Sequence, residues 1–146
     1  MEFTVRAARI TDVERFVALS GVRPEAADLL RQLVYLPHAS VLVAELRREI
    51  VGGAVLAIRP SVRSGGFVGV LDTLAVAGDH DAERVTELLI EEVVRSARNK
   101  GCAAVQAPRP DDPAERARWE RQGFVDAGPL IERPLEPAGN AGRRGG

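Results

Sequence analysis

The stretch from Gly66 to Gly101 has the pattern of a strand that leads into a helix, the arrangement on which the chemistry of this chain depends. Residues 67–76 are mostly apolar or small and show no helical period, which predicts a buried strand covered on both faces. After Gly78 a polar turn leads into apolar residues at helical spacing, and this pattern predicts one long helix that ends at Gly101. A strand that runs into a helix N-terminus is a common anion-binding arrangement, because unpaired backbone N–H groups and the helix dipole converge there.

The first turn of this helix is acidic. Asp79, Asp81 and Glu83 place carboxylates at its N-terminus, where they stabilise the helix by capping it and by interacting with its dipole. The same carboxylates occupy and repel the space that an anion would take. We therefore expect a phosphate to meet like charge at this turn, offset in part by Arg84.

The other reactive side chains form no catalytic or metal-binding pattern. Cys102 is the only cysteine, which excludes an internal disulfide, and together with His38 and His80 it gives no spacing typical of metal ligands. The sequence has no G-x-S-x-G motif, and Cys102 opens an apolar strand. Nucleophilic catalysis is therefore not supported.

Length and composition predict one globular domain. A chain of 146 residues, 45% apolar and 28% charged, can bury a core without disulfides or metal. The net charge of −1 and the lack of clustered basic and aromatic residues argue against a nucleic-acid partner. The longest apolar stretch, residues 51–58, is far shorter than the ~20 residues of a membrane helix, and the N-terminus lacks a signal-peptide pattern. We expect a cytoplasmic protein without a membrane partner.

The elements around the central stretch alternate between strands and helices. In chain order the patterns predict a strand at residues 3–8, helices from Thr11 to Gly21 and from Pro24 to Leu36, strands at 41–46 and 50–58, the central strand and long helix, a strand at 102–107, a helix at 113–122 and a last strand or hairpin at 124–135. Thr11 and Glu14 form a capping box, and Gly52 and Gly53 mark a bulge in the hairpin.

This order predicts an α/β (α+β) fold with a mixed, mostly antiparallel sheet and helices on both faces, because hairpins stand beside strand–helix–strand crossovers. Residues 136–146 have nothing to bury and are expected to form a disordered tail, so the domain covers residues 1–135.

Four short segments carry a resemblance to a known protein family. They are VRAARITDVERFVAL near the N-terminus, the hairpin VAELRREIVGG, the strand DTLAV and the ending WERQGF. In this order and at these separations they resemble the GNAT superfamily of acyl-CoA-dependent N-acyltransferases. The resemblance covers residues 3–135 and implies a GNAT-like domain, although the alternation of strands alone would also fit a ferredoxin-like domain.

The resemblance implies a binding site for acetyl-CoA. In that superfamily the backbone of the strand matching residues 74–76 binds the pantetheine, and the next turn binds the pyrophosphate through Arg or Gln, two spacers, Gly, one spacer, then Gly or Ala. The aligned residues here run from Asp81 to Thr86, so both glycine positions are lost, and a β-carbon there narrows the approach of phosphate to backbone. With this degenerate motif, the resemblance assigns cofactor binding to Leu74, Ala75, Val76, Arg84, Val85 and Thr86.

The resemblance also indicates which groups would move protons. Asp72 lies four residues before Val76 and is the candidate general base; it shares a face with Leu74 and Val76 unless a bulge intervenes. The alternative interpretation of Asp72 is a hydrogen-bonded structural carboxylate. Many members use a tyrosine to return a proton to the CoA thiolate, but here that position is Trp119, whose indole is not an acid at neutral pH. We interpret Trp119 as packing the last helix on the sheet.

Two functions follow from these observations. The first is an N-acetyltransferase that transfers an acyl group from acetyl-CoA to an unidentified small-molecule or peptide amine, with an atypical cofactor motif and reduced activity. The amine would attack directly, and Asp72 or a water it holds would accept the proton. The alternative is a non-catalytic binding or interaction module that keeps the fold and no longer binds acetyl-CoA. The acceptor, the acyl group and the oligomeric state, monomer or homodimer, stay open.

Overall fold

Strands and helices follow the predicted order as far as the last helix. The computed structural model describes residues 2–78, 81–128 and 133–134. Its elements are β1 (Thr4–Ala7), a 3-10 turn (Ile10–Asp12), α1 (Val13–Ser20), α2 (Ala26–Leu33), β2 (Ala39–Leu46), β3 (Glu49–Ser61), β4 (Gly66–Val76), α3 (Ala82–Asn99), β5 (Cys102–Gln106) and α4 (Pro113–Arg121). The α/β fold class is confirmed. No helix in the described ranges is both long enough and apolar enough to cross a membrane.

The five strands in the described part of the chain form one sheet in the order β1-β2-β3-β4-β5. The first three pairs are antiparallel and β4–β5 is parallel, with α3 as the crossover between these two strands. The mixed, mostly antiparallel sheet is therefore as predicted. Neighbours in sequence are neighbours in the sheet, so the split βαβ arrangement of a ferredoxin-like domain, which inserts a strand between parallel partners, is excluded.

Helices cover both faces of the sheet, and two adjacent glycines let them approach. A β-carbon at Gly52 would lie 3.0 Å from Val85 and 3.1 Å from Leu89, both on α3. A β-carbon at Gly53 would lie 2.4 Å from the ring of Phe16, on α1 and the opposite face. These glycines therefore serve close packing on the two faces of β3. The predicted bulge is beside them: Ala44 pairs with Gly52 and Glu45 with Ile50, which makes Val51 the extra residue.

A partly buried ion-pair network fixes β1 to β2 and to the start of α1. Arg6 donates to Asp12 at 2.7 and 3.1 Å and to Glu45 at 2.8 and 3.0 Å. Asp12, only 8% exposed, also accepts from the backbone N–H of Arg9 at 2.7 Å. These hydrogen bonds, first of all those from Arg6, lower the pKa of Asp12 against the opposing effect of burial. The predicted capping box of Thr11 and Glu14 is wrong, because Asp12 caps this turn instead.

The far end of α3 is tied to the beginning of β2. Lys100, the only lysine of the chain, donates from Nζ to the carbonyl of Pro37 at 2.8 Å. The hydroxyls of Ser40 and Ser96 share a hydrogen bond of 2.6 Å. Side chains of α3 with no exposed surface, Val85, Leu89 and Ile90, bury its apolar face. The long helix is therefore anchored along its length, as its apolar spacing predicts.

Two expectations about the C-terminal half need correction. The central strand is not covered on both faces, since Phe67 is 48% exposed and Asp72 is also exposed. The predicted last strand does not begin at residue 124, because residues 124–128 are irregular. Of its remainder only residues 133–134 are described, and they are not in a strand. The tail at 136–146 also lies outside the described residues.

Candidate functional site

The sheet opens between β4 and β5. These strands pair only where residues 67–70 face residues 102–106. Beyond Val70, β4 continues to Val76 with β3 alone as its partner in the described chain, while β5 ends at Gln106. Alternate peptide groups of an antiparallel strand point away from its partner, so the outer edge of residues 71–76 carries N–H and C=O groups that have no strand partner among the described residues. An extended ligand could hydrogen-bond to this edge as an added strand would.

The predicted pantetheine-binding residues lie on this open edge. Leu74, Ala75 and Val76 are the last three residues of β4 and are only partly buried. Leu74 and Val76 direct their side chains into the core under α3. Their contribution to a ligand would therefore come from the backbone, which agrees with what the resemblance implies. Their role in binding remains a prediction.

The first turn of α3 directly follows the strand opening. Some of the polar groups of this turn already hydrogen-bond to one another. The carboxylate of Asp81 accepts from the backbone N–H of Arg84 at 3.3 Å and caps the helix. The hydroxyl of Thr86 donates back to the carbonyl of Ala82 at 2.7 Å. The Val85 side chain is fully buried against Gly52. Of the predicted phosphate-binding residues, only Arg84 extends a charged side chain, about half exposed, into solvent. Asp79 and His80 lie outside the described residues.

Two arginines flank this acidic turn. Arg84 lies 3.7 Å from Glu87. On α4, Arg118 lies 3.8 Å from Glu83 and donates to Glu115 at 3.1 Å. The repulsion expected from Glu83 is thus offset by a cation that comes from a distant part of the sequence. Sequence analysis missed Arg118, because the readable signal, its one-turn spacing from Glu115, only indicates a local helix pair.

The candidate base, Asp72, lies at the start of the open edge on a β-bulge. Leu71 pairs with Leu56 and Thr73 with Val55, so Asp72 is the extra residue of β4. Because of this bulge, Asp72 does not follow the simple alternation by which the spacing placed it on the same face as Leu74 and Val76. Leu74 and Val76 pack towards α3, whereas Thr73, opposite Val55, is on the side of α1 and α2.

The side chain of Asp72 is hydrogen-bonded to that of Thr73, whose hydroxyl donates to the Asp72 carboxylate at 2.8 Å. The carboxylate is exposed. It is therefore open to an incoming molecule on the face of the sheet opposite α3.

The remaining candidates have structural positions. Trp119 packs against the core under α3 and makes an edge-to-face contact with Phe124, with ring centroids 4.9 Å apart, which confirms its interpretation as a packing residue. His38 is exposed, and its carbonyl accepts from the N–H of Ile58 at 2.8 Å. Burial raises the pKa of the Cys102 thiol, which disfavours the nucleophilic thiolate.

A separate cavity of about 620 Å³ lies between the β5–α4 loop, α4 and residues 124–128. Trp119 and Phe124 line it, and an ion pair of Arg109 with Asp126 at 3.5 Å lies beside them. Neither Asp72 nor the first turn of α3 contributes to its wall. We place the site at the strand opening, because the open backbone edge runs there from the exposed carboxylate of Asp72 towards the N-terminus of α3.

Comparison with known proteins gives one family and one fold. The sequence model described as "Acetyltransferase (GNAT) family" matches residues 8–124. No curated protein sequence matches the chain. Among solved structures, a transcriptional regulator from Bacillus halodurans superposes with a TM-score of 0.80 at 15% identity, covering 92% of this chain and 100% of that one.

Two named acetyltransferases are similar to a comparable extent. Glucosamine-6-phosphate N-acetyltransferase from Arabidopsis thaliana gives a TM-score of 0.77 at 17% identity, with 93% of this chain and 100% of that chain covered. The aminoglycoside acetyltransferase AAC(6')-Iy, solved with the bisubstrate analogue CoA-S-monomethyl-acetylneamine, gives 0.76 at 20% identity, with 94% and 100% covered. At these identities the structures show a shared fold.

Proposed function

Since this chain belongs to the acetyltransferase (GNAT) family, we propose that it transfers an acyl group from acetyl-CoA to an amine. The observation that carries the proposal is the separation of β4 from β5 after Val70, which leaves the backbone edge of residues 71–76 open beside the N-terminus of α3. A thioester arm laid along this edge would have its anionic end at the helix and its acyl end near Asp72.

The described residues fit such a donor, although the residues that would contact its phosphates differ from the glycine motif of the superfamily. The peptide groups of residues 74–76 supply donors and acceptors for an extended amide-containing arm. The first turn of α3 lacks the glycines that admit a phosphate closely, but Arg84 and Arg118 flank it. Arg118 also has a buried Nε with no acceptor among the described residues. Bound acetyl-CoA would supply an acyl carbonyl activated as a thioester.

Asp72 is proposed to receive the proton of the acceptor amine, directly or through a water molecule. Its carboxylate is exposed and is oriented by the hydroxyl of Thr73. The backbone N–H groups of residues 74–76 are proposed to orient and polarise the thioester carbonyl. Trp119 has no acidic proton to return to the leaving thiolate, so we expect solvent to supply it.

The decisive measurement is whether CoA binds and whether acyl transfer follows. We expect CoA at a hundredfold its dissociation constant to raise the free energy of unfolding by about 2.7 kcal/mol in thermal or chemical denaturation. Release of thiol from acetyl-CoA should then depend on an added amine, tested with a panel that includes amino sugars, aminoglycosides and peptide N-termini. Unchanged stability with CoA, together with no amine-dependent thiol release, would contradict the proposal and favour a non-catalytic module.

A further inference from the structure

The face of the sheet opposite α3 is open to solvent where β4 and β5 separate. Ala57 on β3, Gln106 on β5 and Asp72 on β4 are all exposed. Val70, which pairs with both Ala57 and Gln106, lies between these strands on the same face and is partly buried. This end of the sheet is therefore a shallow floor of small apolar side chains with polar groups on either side of it.

A cation crosses β4 at one end of this floor. Arg59 is exposed and lies on the part of β3 that continues beyond its pairing with β2. Its Nη2 atom lies 3.5 Å from Oε1 of Gln106 on β5, so the guanidinium lies above β4, the strand between them. Ile58 and Val105 pack under α3, and alternation along each strand places Arg59 and Gln106 on the opposite face. Among the described residues Gln106 is the one acceptor near this guanidinium, whose several N–H groups leave capacity for a ligand.

The carboxylate of Asp72 lies on the same face, at the other end of the floor. Consecutive residues of a regular strand point to opposite faces, yet the hydroxyl of Thr73 donates to the Asp72 carboxylate at 2.8 Å. The β-bulge therefore turns the Asp72 side chain to the side of Thr73, opposite α3. Asp72 follows Val70, the partner of Gln106, by two residues, roughly 7 Å along the strand. The proposed proton acceptor and the guanidinium are thus separated by the length of a short molecule.

We propose that Arg59, together with Gln106, binds an oxyanion on the acceptor, so that the substrates are short amines with a carboxylate or a phosphate at their far end. This inference rests on the proposed function and names the class of acceptor. With the amine at Asp72, the oxyanion would accept two N–H groups from the planar fork of Arg59. Because Oε1 of Gln106 faces Arg59, its amide N–H groups supply further donors.

The test compares acceptors that share an amine and differ in charge at the far end. Thiol release from acetyl-CoA is measured on the full chain with γ-aminobutyrate, with its neutral amide γ-aminobutyramide and with phosphoethanolamine. We expect kcat/KM to be about tenfold higher for at least one anionic amine than for the neutral amide, mainly through KM. The two anionic compounds distinguish a carboxylate from a phosphate.

Variants of Arg59 show whether this residue causes the preference. Arg59→Gln should reduce the preference about tenfold, and Arg59→Lys should reduce it less, because lysine keeps the charge but not the fork. Arg59→Glu should reverse it, so that putrescine, whose far end is a second ammonium group, becomes a better acceptor than γ-aminobutyrate. A purely structural role of Arg59 would not produce this reversal.

The matched control is Arg63→Gln, an exposed arginine in the turn between β3 and β4. It removes the same charge from the same hairpin, farther from Asp72, and should keep the preference within about twofold of wild type. An equal loss of preference in Arg63→Gln would assign the effect to the general charge of the hairpin and overturn the inference.

The remaining outcomes separate this inference from the proposed function. Acyl transfer to neutral amines that equals or exceeds transfer to the anionic ones would overturn the inference and leave the proposed function standing. A preference for anionic amines that persists in Arg59→Gln would do the same. A chain that releases no amine-dependent thiol with any compound would remove both proposals. Since Arg59 is exposed, its variants should unfold thermally close to wild type, and if Arg59→Glu does not fold, Arg59→Gln and Arg59→Lys decide.

Discussion

Two strand pairs of the sheet differ in how fully they are paired. The strands β2 and β3 pair along the whole of β2, and six of the eight residues of β2 are buried. The strands β4 and β5 pair over residues 67–70 only, and none of the five residues of β5 is buried. We refer to β1–β3 with α1 as the closed half, and to residues 71–76, β5, α4 and the first turn of α3 as the open half.

The comparison indicates that the closed half contributes most of the stability of the fold, whereas the open half carries the unpaired backbone groups. An open strand edge gives up hydrogen bonds and burial that a paired edge would have, so the energy that holds the fold must come from elsewhere. Here it comes from the closed half, with its ion-pair network and with α1 packed against Gly53. Substitutions in the closed half should therefore change stability, and substitutions in the open half should change binding or rate.

The largest effect is expected from Asp72→Asn in the open half. Loss of a general base should lower kcat/KM for acyl transfer by about a hundredfold or more. Stability and CoA affinity should remain close to wild type, because the side chain is exposed and bonds only Thr73 among the described residues. Thiol-release kinetics with the best amine from the acceptor screen measures the rate. Asp28→Asn, on α2 and 87% exposed, is the matched control. Full activity in Asp72→Asn would contradict the proposed role.

A large loss of stability is expected from Gly53→Ala in the closed half. Its new β-carbon would lie 2.4 and 2.6 Å from carbons of the Phe16 ring, which is only 2% exposed and cannot move into solvent. Overpacking of this kind should cost about 2–3 kcal/mol in the free energy of unfolding, measured by urea denaturation. The control is Gly66→Ala, where a β-carbon would meet nothing within 4 Å. Equal stability of the two variants would show that the closed half is not tightly packed.

A smaller, pH-dependent effect is expected from Asp12 in the closed half. Because Arg6 lowers the folded-state pKa of Asp12 below its unfolded value of about 3.9, the carboxylate stabilises the fold above that value. This contribution should be lost as pH falls below about 4 towards the folded-state pKa.

Asp12→Asn should lose about 1 kcal/mol at pH 7 and should show a weaker fall in stability between pH 5 and about pH 3. Urea denaturation at several pH values gives both numbers. Glu14→Gln, whose carboxylate is exposed, is the control, and an equally steep fall in Asp12→Asn would assign the acid sensitivity to other groups.

Elements with strong periodicity could be predicted from the sequence. The apolar spacing on α3 gave its length to within a few residues, since one buried face determines where the helix lies. The hairpin of β2 and β3 and the short helix α4 were also predicted close to their observed bounds. The segment after α4 was not, because an apolar run such as Phe124 and Val125 has no period that tells a strand from an irregular chain.

The site depended on information that spacing does not contain. The position of Asp72 is decided by a one-residue insertion in β4 relative to β3, and such a bulge depends on how two strands pair. The proximity of Arg118 to Glu83 requires α4 to fold back beside α3, which neither local sequence specifies. Local patterns therefore located the strand and the helix of the site, and tertiary packing decided which face and which cation belong to it.

The bond between Lys100 and Pro37 has a practical consequence for handling the protein. At about 1.5 Å per residue, the 18 residues of α3 place this lysine roughly 27 Å from the first turn of the helix. It is the only lysine side chain of the chain, so reagents that couple to amines have one side-chain target, remote from the strand opening, besides the N-terminal amine. Attachment there to a sensor surface or a fluorophore would leave the opening facing solvent.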